Sequence, residues 1–294
     1  MKKIMKSNYV AVLLATMILA GCDRLDMKGM LFSSGTHTED RVQQWLEWND
    51  LHPDRVVEGV DDEYCIYVTS DIHITDSAPR VELFLRRQHA DMLSPFAIIN
   101  GDIANERGED PFRVLDSIIR LVYEPGGKDS CYVILGNHDI YFDCQQYFQQ
   151  YFHTSTYTVT VVTKSGAKDL FVFLDSGNAT HGLRQRKWLE DVLAKRDEYR
   201  HVIVNTHTSL FRNSYDYSTT PAANLPLDEE YELKHLFDTH RVTLCLMGHW
   251  HHQELHQIGS VQYIMTDNMN EDVDAPNYLV VRLGDEMNYK FVTL

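Results

Sequence analysis

Five short motifs along this chain carry side chains that can bind metal ions. In chain order they are Asp71-Ile72-His73, Gly101-Asp102, Gly136-Asn137-His138-Asp139, His207, and Gly248-His249-Trp250-His251. Their donors are carboxylate or amide oxygens and imidazole nitrogens, a set that suits Mn, Fe or Zn better than a soft metal. Roughly seven or eight donors are too many for one ion and about right for two. The sequence therefore predicts a site for two divalent metal ions.

Each motif follows a short apolar run that is typical of a buried strand. The runs are residues 64–70, 96–100, 131–135, 201–205 and 242–247, and helical patterns cover residues 80–93, 111–123, 141–152, 183–196 and 228–238. Apolar strands that alternate with helices indicate a largely parallel sheet covered on both faces. The motifs would then lie at the carboxyl ends of the strands, where open α/β sheets bind ligands. A second sheet, and so an α/β sandwich, is predicted by strand-like runs at 157–163, 170–174, 254–258, 261–265, 278–283 and 289–293.

The five motifs, in this order, resemble those of the calcineurin-like metallophosphoesterase superfamily over roughly residues 64–266. The resemblance implies an α/β fold in which a β-sandwich is flanked by helices, with four layers in the order αββα. It also implies hydrolysis of a phosphomonoester or phosphodiester by metal-activated hydroxide. The implied ligands are Asp71, His73 and His251 for one metal and Asn137, His207 and His249 for the other.

Three further residues have roles that the resemblance implies. Asp102 would bridge both metals, since a carboxylate has two oxygens. His138 would face the substrate and protonate the leaving oxygen, and Asp139 would support the site from behind the ligands. The glycines of the motifs would let the backbone come close to the metals and the substrate.

The sequence departs from the protein-phosphatase branch of this superfamily. In that branch the Gly-Asp motif is followed by a further Asp and Arg, and the Asn-His pair by Glu. Here those positions hold Asn105, Glu106 and Asp139. This favours the bacterial phosphodiesterase and nucleotide-phosphatase branches, and it leaves open what orients His138. The alternatives are a cyclic-nucleotide or nucleotide phosphodiesterase and a non-catalytic metal-binding docking module.

A polar loop directly after His207 is the candidate substrate loop. It covers residues 209–226 and carries Arg212, which could bind a phosphate, together with Asn213 and Tyr215. Tyrosines in this loop could stack on a base or sugar. The alternative is a solvated connector whose aromatic residues cap the core. Residues 175–178, which follow another strand, are more typical of a structural turn than of a pocket.

The composition limits the partners. With 294 residues and 44% hydrophobic residues the chain can bury a sizeable core. Its formal net charge of −16 disfavours long nucleic-acid tracts, whose binding depends on Lys and Arg. A small phosphorylated substrate remains compatible, because bound metals make a pocket locally positive. The sequence does not indicate an oligomeric state.

The first residues are typical of an export signal. Lys2, Lys3 and Lys6 precede an apolar stretch at residues 9–20, which ends in Leu19-Ala20-Gly21-Cys22. This resembles a bacterial lipobox and predicts lipidation at Cys22, with the protein anchored to a membrane and facing the periplasm or exterior. A plain secretory signal and an uncleaved anchor are the alternatives.

The expected organisation has three parts. Residues 1–21 are the signal peptide, residues 22–59 a tether with a helix at 40–49 that packs on the main domain, and residues 60–294 the metallophosphoesterase domain. The cysteines after Cys22 show no disulfide or metal-binding spacing, so we expect them to be free thiols.

Overall fold

Two β-sheets pack face to face, and helices cover their outer surfaces. The structure is a computed structural model that describes residues 37–105, 107–123, 130–212 and 224–294. The strands are β1 (Arg55–Val60), β2 (Tyr64–Thr69), β3 (Ala97–Asn100), β4 (Cys131–Ile134), β5 (Tyr157–Thr163), β6 (Lys168–Leu174), β7 (His201–Thr206), β8 (Leu244–Met247), β9 (Glu254–Ile258), β10 (Val261–Met265), β11 (Asn277–Leu283) and β12 (Met287–Thr293). The α-helices are α1 (Thr38–Asp50), α2 (Pro79–Ala90), α3 (Asp110–Val122), α4 (Gln145–Phe152), α5 (Gly182–Leu193) and α6 (Leu227–Thr239), and 3₁₀ turns cover His138–Asp143 and Arg196–Glu198.

The strand order explains how distant motifs meet. One sheet has the order β1-β5-β6-β7-β8-β10-β9 and the other β12-β11-β2-β3-β4. Strands β2, β3 and β4 are parallel neighbours in the second sheet, and β7 and β8 are parallel neighbours in the first. All five motifs therefore follow the carboxyl ends of parallel strands, as the sequence predicted. These strands are divided between the two sheets, however, and the strands predicted to form a separate second sheet also belong to both.

Three apolar clusters fill the spaces between the layers. The cluster between the two sheets includes Ile66, Phe96 and Phe171, all fully buried. A second cluster lies under α2, α3 and α4, and a third lies under α5 and α6. The predicted four-layer αββα sandwich is confirmed, because helices pack on the outer face of each sheet and the sheets pack on each other.

A buried asparagine ties the two sheets together beside the motifs. Asn100, the last residue of β3, donates from Nδ2 to the carbonyl oxygens of Thr206 (3.0 Å) and Leu246 (3.1 Å). These acceptors lie in β7 and β8 of the opposite sheet. The hydrogen bonds fix the distance between the strand ends that precede His207 and those that precede Asp102.

The N-terminal boundary differs from the expectation. The helix predicted at 40–49 is present as α1, but it is followed by β1, which the sequence reading missed. β1 pairs in parallel with β5 from Arg55 to Val60, so a boundary between residues 59 and 60 falls inside a strand. The strand carries Glu58 and Gly59, which interrupt the apolar pattern that marks the other strands.

Another difference lies after the Asn137 motif. The sequence predicted one helix over residues 141–152, whereas the chain forms a 3₁₀ turn to Asp143 and starts α4 at Gln145. Phe142 and Asp143 have φ of 55° and 61°, so the helix cannot continue through them.

Helix α1 is attached to the sandwich by a buried ion pair. Arg41 Nε and Nη2 lie 3.0 Å from Asp175 Oδ2 and Oδ1, and both side chains are fully buried. Trp45 Nε1 also donates to Asp175, at 2.9 Å. Burial raises the pKa of Asp175, but the Arg41 guanidinium outweighs it and the pKa is lowered. Residues 175–178 therefore have a structural role, which agrees with the expectation of a structural turn and not a pocket.

Two further observations concern cysteines and membranes. Cys131, Cys144 and Cys245 are buried and Cys65 is half-buried, and all four are free thiols. Within the described ranges, no helix combines the length and apolar character needed to cross a membrane. Cys22 and the segment before it lie outside the described residues.

Replacing Arg41 tests the anchor. Arg41→Met should lower the free energy of unfolding by about 3–5 kcal/mol, because it leaves the Asp175 carboxylate buried without its cation. The matched control is Arg184→Met, which breaks an exposed pair with Glu39 at 3.7 Å and should cost at most about 1 kcal/mol. Denaturant unfolding measures both, and equal losses would contradict the anchoring role.

Candidate metal centre

The motif side chains form two groups that share one carboxylate. The first group is Asp71, His73, Asp102 and His251, and the second is Asp102, His207 and His249. Within each group the candidate ligand atoms lie within 4.8 Å of one another. The structure thus brings together the six carboxylate and imidazole ligands that the resemblance implied, with Asp102 in both groups.

In the first group, nitrogen and oxygen lone pairs converge on one point. His73 Nε2 and His251 Nε2 are 3.2 Å apart, and His251 Nε2 is 3.2 Å from Asp71 Oδ1. Asp71 Oδ1 is buried and accepts no hydrogen bond within the described ranges. A buried carboxylate oxygen without a hydrogen bond is costly, and a cation among these atoms would satisfy it. The donors present therefore fit a divalent metal ion.

In the second group, Asn137 adds a neutral oxygen. His207 Nε2 lies 3.3 Å from Asp102 Oδ2 and 3.1 Å from Asn137 Oδ1. His207 Nδ1 lies 2.9 Å from the carbonyl oxygen of Asn100, to which it can only donate. That hydrogen bond fixes the tautomer, so the Nε2 lone pair of neutral His207 faces Asp102.

The buried charges make the site attractive to cations. Burial raises the pKa of Asp71, but His207 and the close contact with His251 lower it to about 2. The pKa of Asp102 is also lowered, because His207, His138 and His73 outweigh its burial. In turn, Asp102 and Asp71 raise the pKa of His207 to about 10 against the effect of burial. Two ionised carboxylates thus share a buried site, and a bound metal would compete with the proton on His207.

Several candidate ligand residues have an uncommon backbone conformation. Positive φ values occur at Asp71 (50°), His73 (42°), Asp102 (52°), His249 (81°) and His251 (55°). Non-glycine residues rarely adopt this region, and the cost is on the order of 1–3 kcal/mol each. The bends turn side chains that would alternate across a strand toward one point. Strain of this kind concentrates where function requires the geometry.

Two motif glycines leave space for the ligands themselves. A Cβ at Gly136 would lie 2.2 Å from Asp102 Oδ1, and one at Gly248 would lie 2.7 Å from Asp71 Oδ2. Any other residue at Gly136 would therefore displace the shared carboxylate. The sequence reading expected the glycines to admit the metals and substrate, whereas these two admit the buried carboxylates.

Asp139 is buried against the backbone of the loops that carry the candidate ligands Asp102 and Asn137. Its Oδ1 accepts from the backbone N–H groups of Ile103 and Ala104, both at 2.9 Å, and its Oδ2 accepts from Gly136 at 2.8 Å. Burial and the nearby Asp102 raise the pKa of Asp139 to about 7, although the three N–H groups oppose this. The side chain holds the loops that carry Asp102 and Asn137 in register.

The Asp102 carboxylate holds the backbone of His138, and packing against neighbouring rings orients its imidazole. Its backbone N–H donates to Asp102 Oδ1 at 2.9 Å. Its ring contacts His73 edge-on, with centroids 4.8 Å apart, and lies 5.2 Å from the ring of Tyr141. His138 Nδ1 is buried without a hydrogen bond to any described residue. His138 is thus oriented without the further Asp and Arg that follow the Gly-Asp motif in the protein-phosphatase branch.

Tyr141 is a site residue that the sequence reading missed. Its hydroxyl accepts from Asn137 Nδ2 at 3.1 Å, which turns Asn137 Oδ1 toward His207. An aromatic residue four positions after Asn137 was the available signal, but the sequence analysis assigned it to a helix.

The candidate substrate loop is described only in part. Arg212 Nε lies 3.1 Å from Glu230 Oε1, and its Nη2 donates to the Leu225 carbonyl at 3.0 Å. Phe211 stacks on His256 with centroids 3.8 Å apart. These contacts favour the connector that caps the core. Asn213 and Tyr215 lie outside the described residues.

Comparison with known proteins identifies the family. The sequence matches the family described as calcineurin-like phosphoesterase over residues 65–253. The chain belongs to this family. As a calcineurin-like phosphoesterase it is a metal-dependent hydrolase of phosphoester bonds, and its candidate ligand clusters agree with that chemistry. No curated protein matches the sequence.

Solved structures share the fold at low sequence identity. A dimetal phosphatase from Danio rerio is 13% identical with a TM-score of 0.59, and the match covers 78% of this chain and 98% of that one. A purple acid phosphatase from yellow lupin seeds is 12% identical with a TM-score of 0.57, covering 80% and 52% of the two chains. GAP50, the anchor in the inner membrane complex of Plasmodium, is 14% identical with a TM-score of 0.55, covering 79% and 84%.

The hydroxyl of Tyr141 provides a test of the second ligand group. Tyr141→Phe should lower the affinity for one of two bound cations by roughly tenfold, because the Asn137 amide loses the partner that orients it. Calorimetric titration with Mn²⁺ measures this. Tyr147→Phe is the control, since the Tyr147 hydroxyl has no hydrogen bond in the described part of the chain. An unchanged titration for Tyr141→Phe would refute the orienting role.

Proposed function

We propose that this protein hydrolyses small phosphoesters at a site that holds two divalent cations. The observation that carries the proposal is the buried Asp102 carboxylate, which belongs to both ligand groups. One ion would be held by Asp71, His73, Asp102 and His251, and the other by Asp102, Asn137, His207 and His249. When bound, such a pair polarises a phosphoryl oxygen and lowers the pKa of water.

The protein's own residues would divide the remaining work. Asn137 is neutral and held by Tyr141, so its ligand group leaves more positive charge for the phosphate than a carboxylate would. His138 lies beside the first ligand group and is half-buried. Because its Nδ1 is buried, the proton for the leaving oxygen would come from Nε2. The loops fixed by Asp139 keep these groups in place.

The substrate would be a small phosphoester, either a monoester or a diester. The net charge of −16 opposes long nucleic acids, while two bound cations would reverse the local sign. A nucleotide or cyclic-nucleotide diesterase is an alternative within the same chemistry. Export would favour phosphoesters of the envelope or the surroundings over cytosolic cyclic nucleotides.

Variants of His138 and Asp102 test the proposal. With Mn²⁺ added, the purified protein should hydrolyse p-nitrophenyl or bis-p-nitrophenyl phosphate, and the ratio of the two rates chooses monoester or diester. His138→Ala should keep both metals and lose roughly 10²–10⁴-fold in kcat. Asp102→Asn should lose metal as well as activity, because the residue belongs to both groups.

His89→Ala is the control, since His89 is exposed on α2, belongs to neither candidate ligand group and contacts the ring of Tyr123. It should leave metal content and rate unchanged. Two bound metals without hydrolysis of any phosphoester in a broad panel would favour the docking module over the enzyme. Full activity in His138→Ala would remove its role as proton donor.

We further propose that the protein is anchored in the cell envelope by a lipid on Cys22. The support is the sequence alone, namely the basic start, the apolar stretch at residues 9–20 and the small residues before the cysteine. A lipid would be needed for anchoring, because a strongly acidic body is repelled by anionic membranes.

Cys22→Ser tests the anchor. In cell fractionation the wild type should sediment with membranes and the variant should be released, because no acyl chain can attach. The cysteines of the folded part provide the control, and Cys65→Ser should remain membrane-bound. A variant that stays with the membrane would indicate an uncleaved anchor.

A further inference from the structure

An exposed aromatic residue is held in a strained conformation beside the metal centre. Phe142 is 68% exposed and has φ 55° and ψ 37°, and the next residue, Asp143, has φ 61°. Burial of the ring does not explain the strain, because most of the ring faces solvent. A bulky residue in this conformation is a genuine outlier, and such outliers persist where they serve a function.

An arginine lies over the same ring. The Arg107 guanidinium carbon is 5.6 Å from the centroid of the Phe142 ring. Arg107 is exposed, and in the part of the chain that the structure describes it forms no ion pair. The pair therefore offers a flat cation and an open aromatic face, and no acidic side chain among the described residues pairs with that cation.

Both residues come from loops that begin at the metal centre. Arg107 lies five positions after Asp102, and Phe142 lies five positions after Asn137. The two loops are joined where the Gly108 N–H donates to Cys144 Sγ at 3.2 Å. The pair therefore lies where the loops that follow Asp102 and Asn137 contact each other.

The pair lies on the side of His138. Tyr141, the neighbour of Phe142, has its ring 5.2 Å from that of His138, and its hydroxyl holds Asn137. In the proposed function His138 delivers a proton to the leaving oxygen. The subsite requires that a group attached to that oxygen extends past Tyr141 toward Phe142.

We propose that Arg107 and Phe142 form a leaving-group subsite that selects phosphoesters whose leaving group carries a flat aromatic ring, as nucleosides do. This inference rests on the proposed function. A base would stack on the open face of Phe142, while Arg107 packs against the ring and adds cation–π attraction. Glycerol and other aliphatic leaving groups would gain nothing from either residue.

The test compares two substrates with different leaving groups. Mn²⁺-loaded wild type and variants are assayed on adenosine monophosphate and on glycerol phosphate. Phe142→Ala should lower kcat/KM for adenosine monophosphate roughly tenfold, mainly through KM, and leave glycerol phosphate unchanged. Arg107→Ala should change the same substrate in the same direction, and Phe142→Tyr should restore the wild-type ratio.

Two controls exclude a general surface effect. Tyr289→Ala removes a part-exposed aromatic residue from the edge strand β12, and Arg113→Ala removes an exposed arginine from α3. Neither should change the ratio of the two substrates. Equal losses on both substrates in Phe142→Ala, or no loss on either, would overturn the subsite.

Binding of adenosine alone separates this inference from the proposed function. Adenosine carries no phosphate, so its binding, measured by calorimetry, needs no hydrolysis. Adenosine binding that Phe142→Ala abolishes, without hydrolysis of any phosphoester, would support the subsite and reject the enzyme. Hydrolysis of both substrates without adenosine binding would reject the subsite and leave the proposed function standing.

Discussion

The structure depends on two carboxylates, Asp71 and Asp102, that stay ionised although they are fully buried. An ionised carboxylate in a protein interior is costly unless cations or hydrogen bonds surround it. Here the imidazoles of His73, His207 and His251 come within 3.2–3.9 Å of the carboxylate oxygens. Metal ions between these groups would satisfy the charge that the fold has buried, and this need explains why so many donors meet at one place.

The β-sandwich fixes the positions of these two carboxylates. The Asn100 side chain ties the carboxyl ends of the two sheets to each other, and its carbonyl oxygen accepts from His207. One residue therefore sets both the spacing of the sheets and the tautomer of a candidate ligand. Gly136 and Gly248 leave room for the carboxylates, and the ligand loops accept positive φ. Large aromatic residues are buried on both sides of each sheet. The stability of this core offsets the cost of the positive φ values at the site.

The sequence was sufficient for the fold class, because apolar runs mark buried strands. It also predicted which side chains meet, because each motif follows such a run. It was insufficient where structure arises from distant contacts. Arg41 and Asp175 are 134 positions apart, and nothing near either residue signals their pairing. Strand β1 was missed because Glu58 and Gly59 interrupt the apolar pattern typical of a buried strand. The break in the helix at Phe142 was missed because the segment has ordinary helical composition. Arg212 suggested a phosphate ligand, yet Glu230 on α6 pairs with it.

The most direct test of the account is to locate the metals. Crystals grown with Mn²⁺ and measured by anomalous diffraction should show two peaks, about 3.5–4 Å apart, on either side of the Asp102 carboxylate. One peak should be surrounded by Asp71, His73 and His251, and the other by Asn137, His207 and His249. A single peak, or peaks that do not touch Asp102, would contradict the claim that one buried carboxylate joins two metal sites.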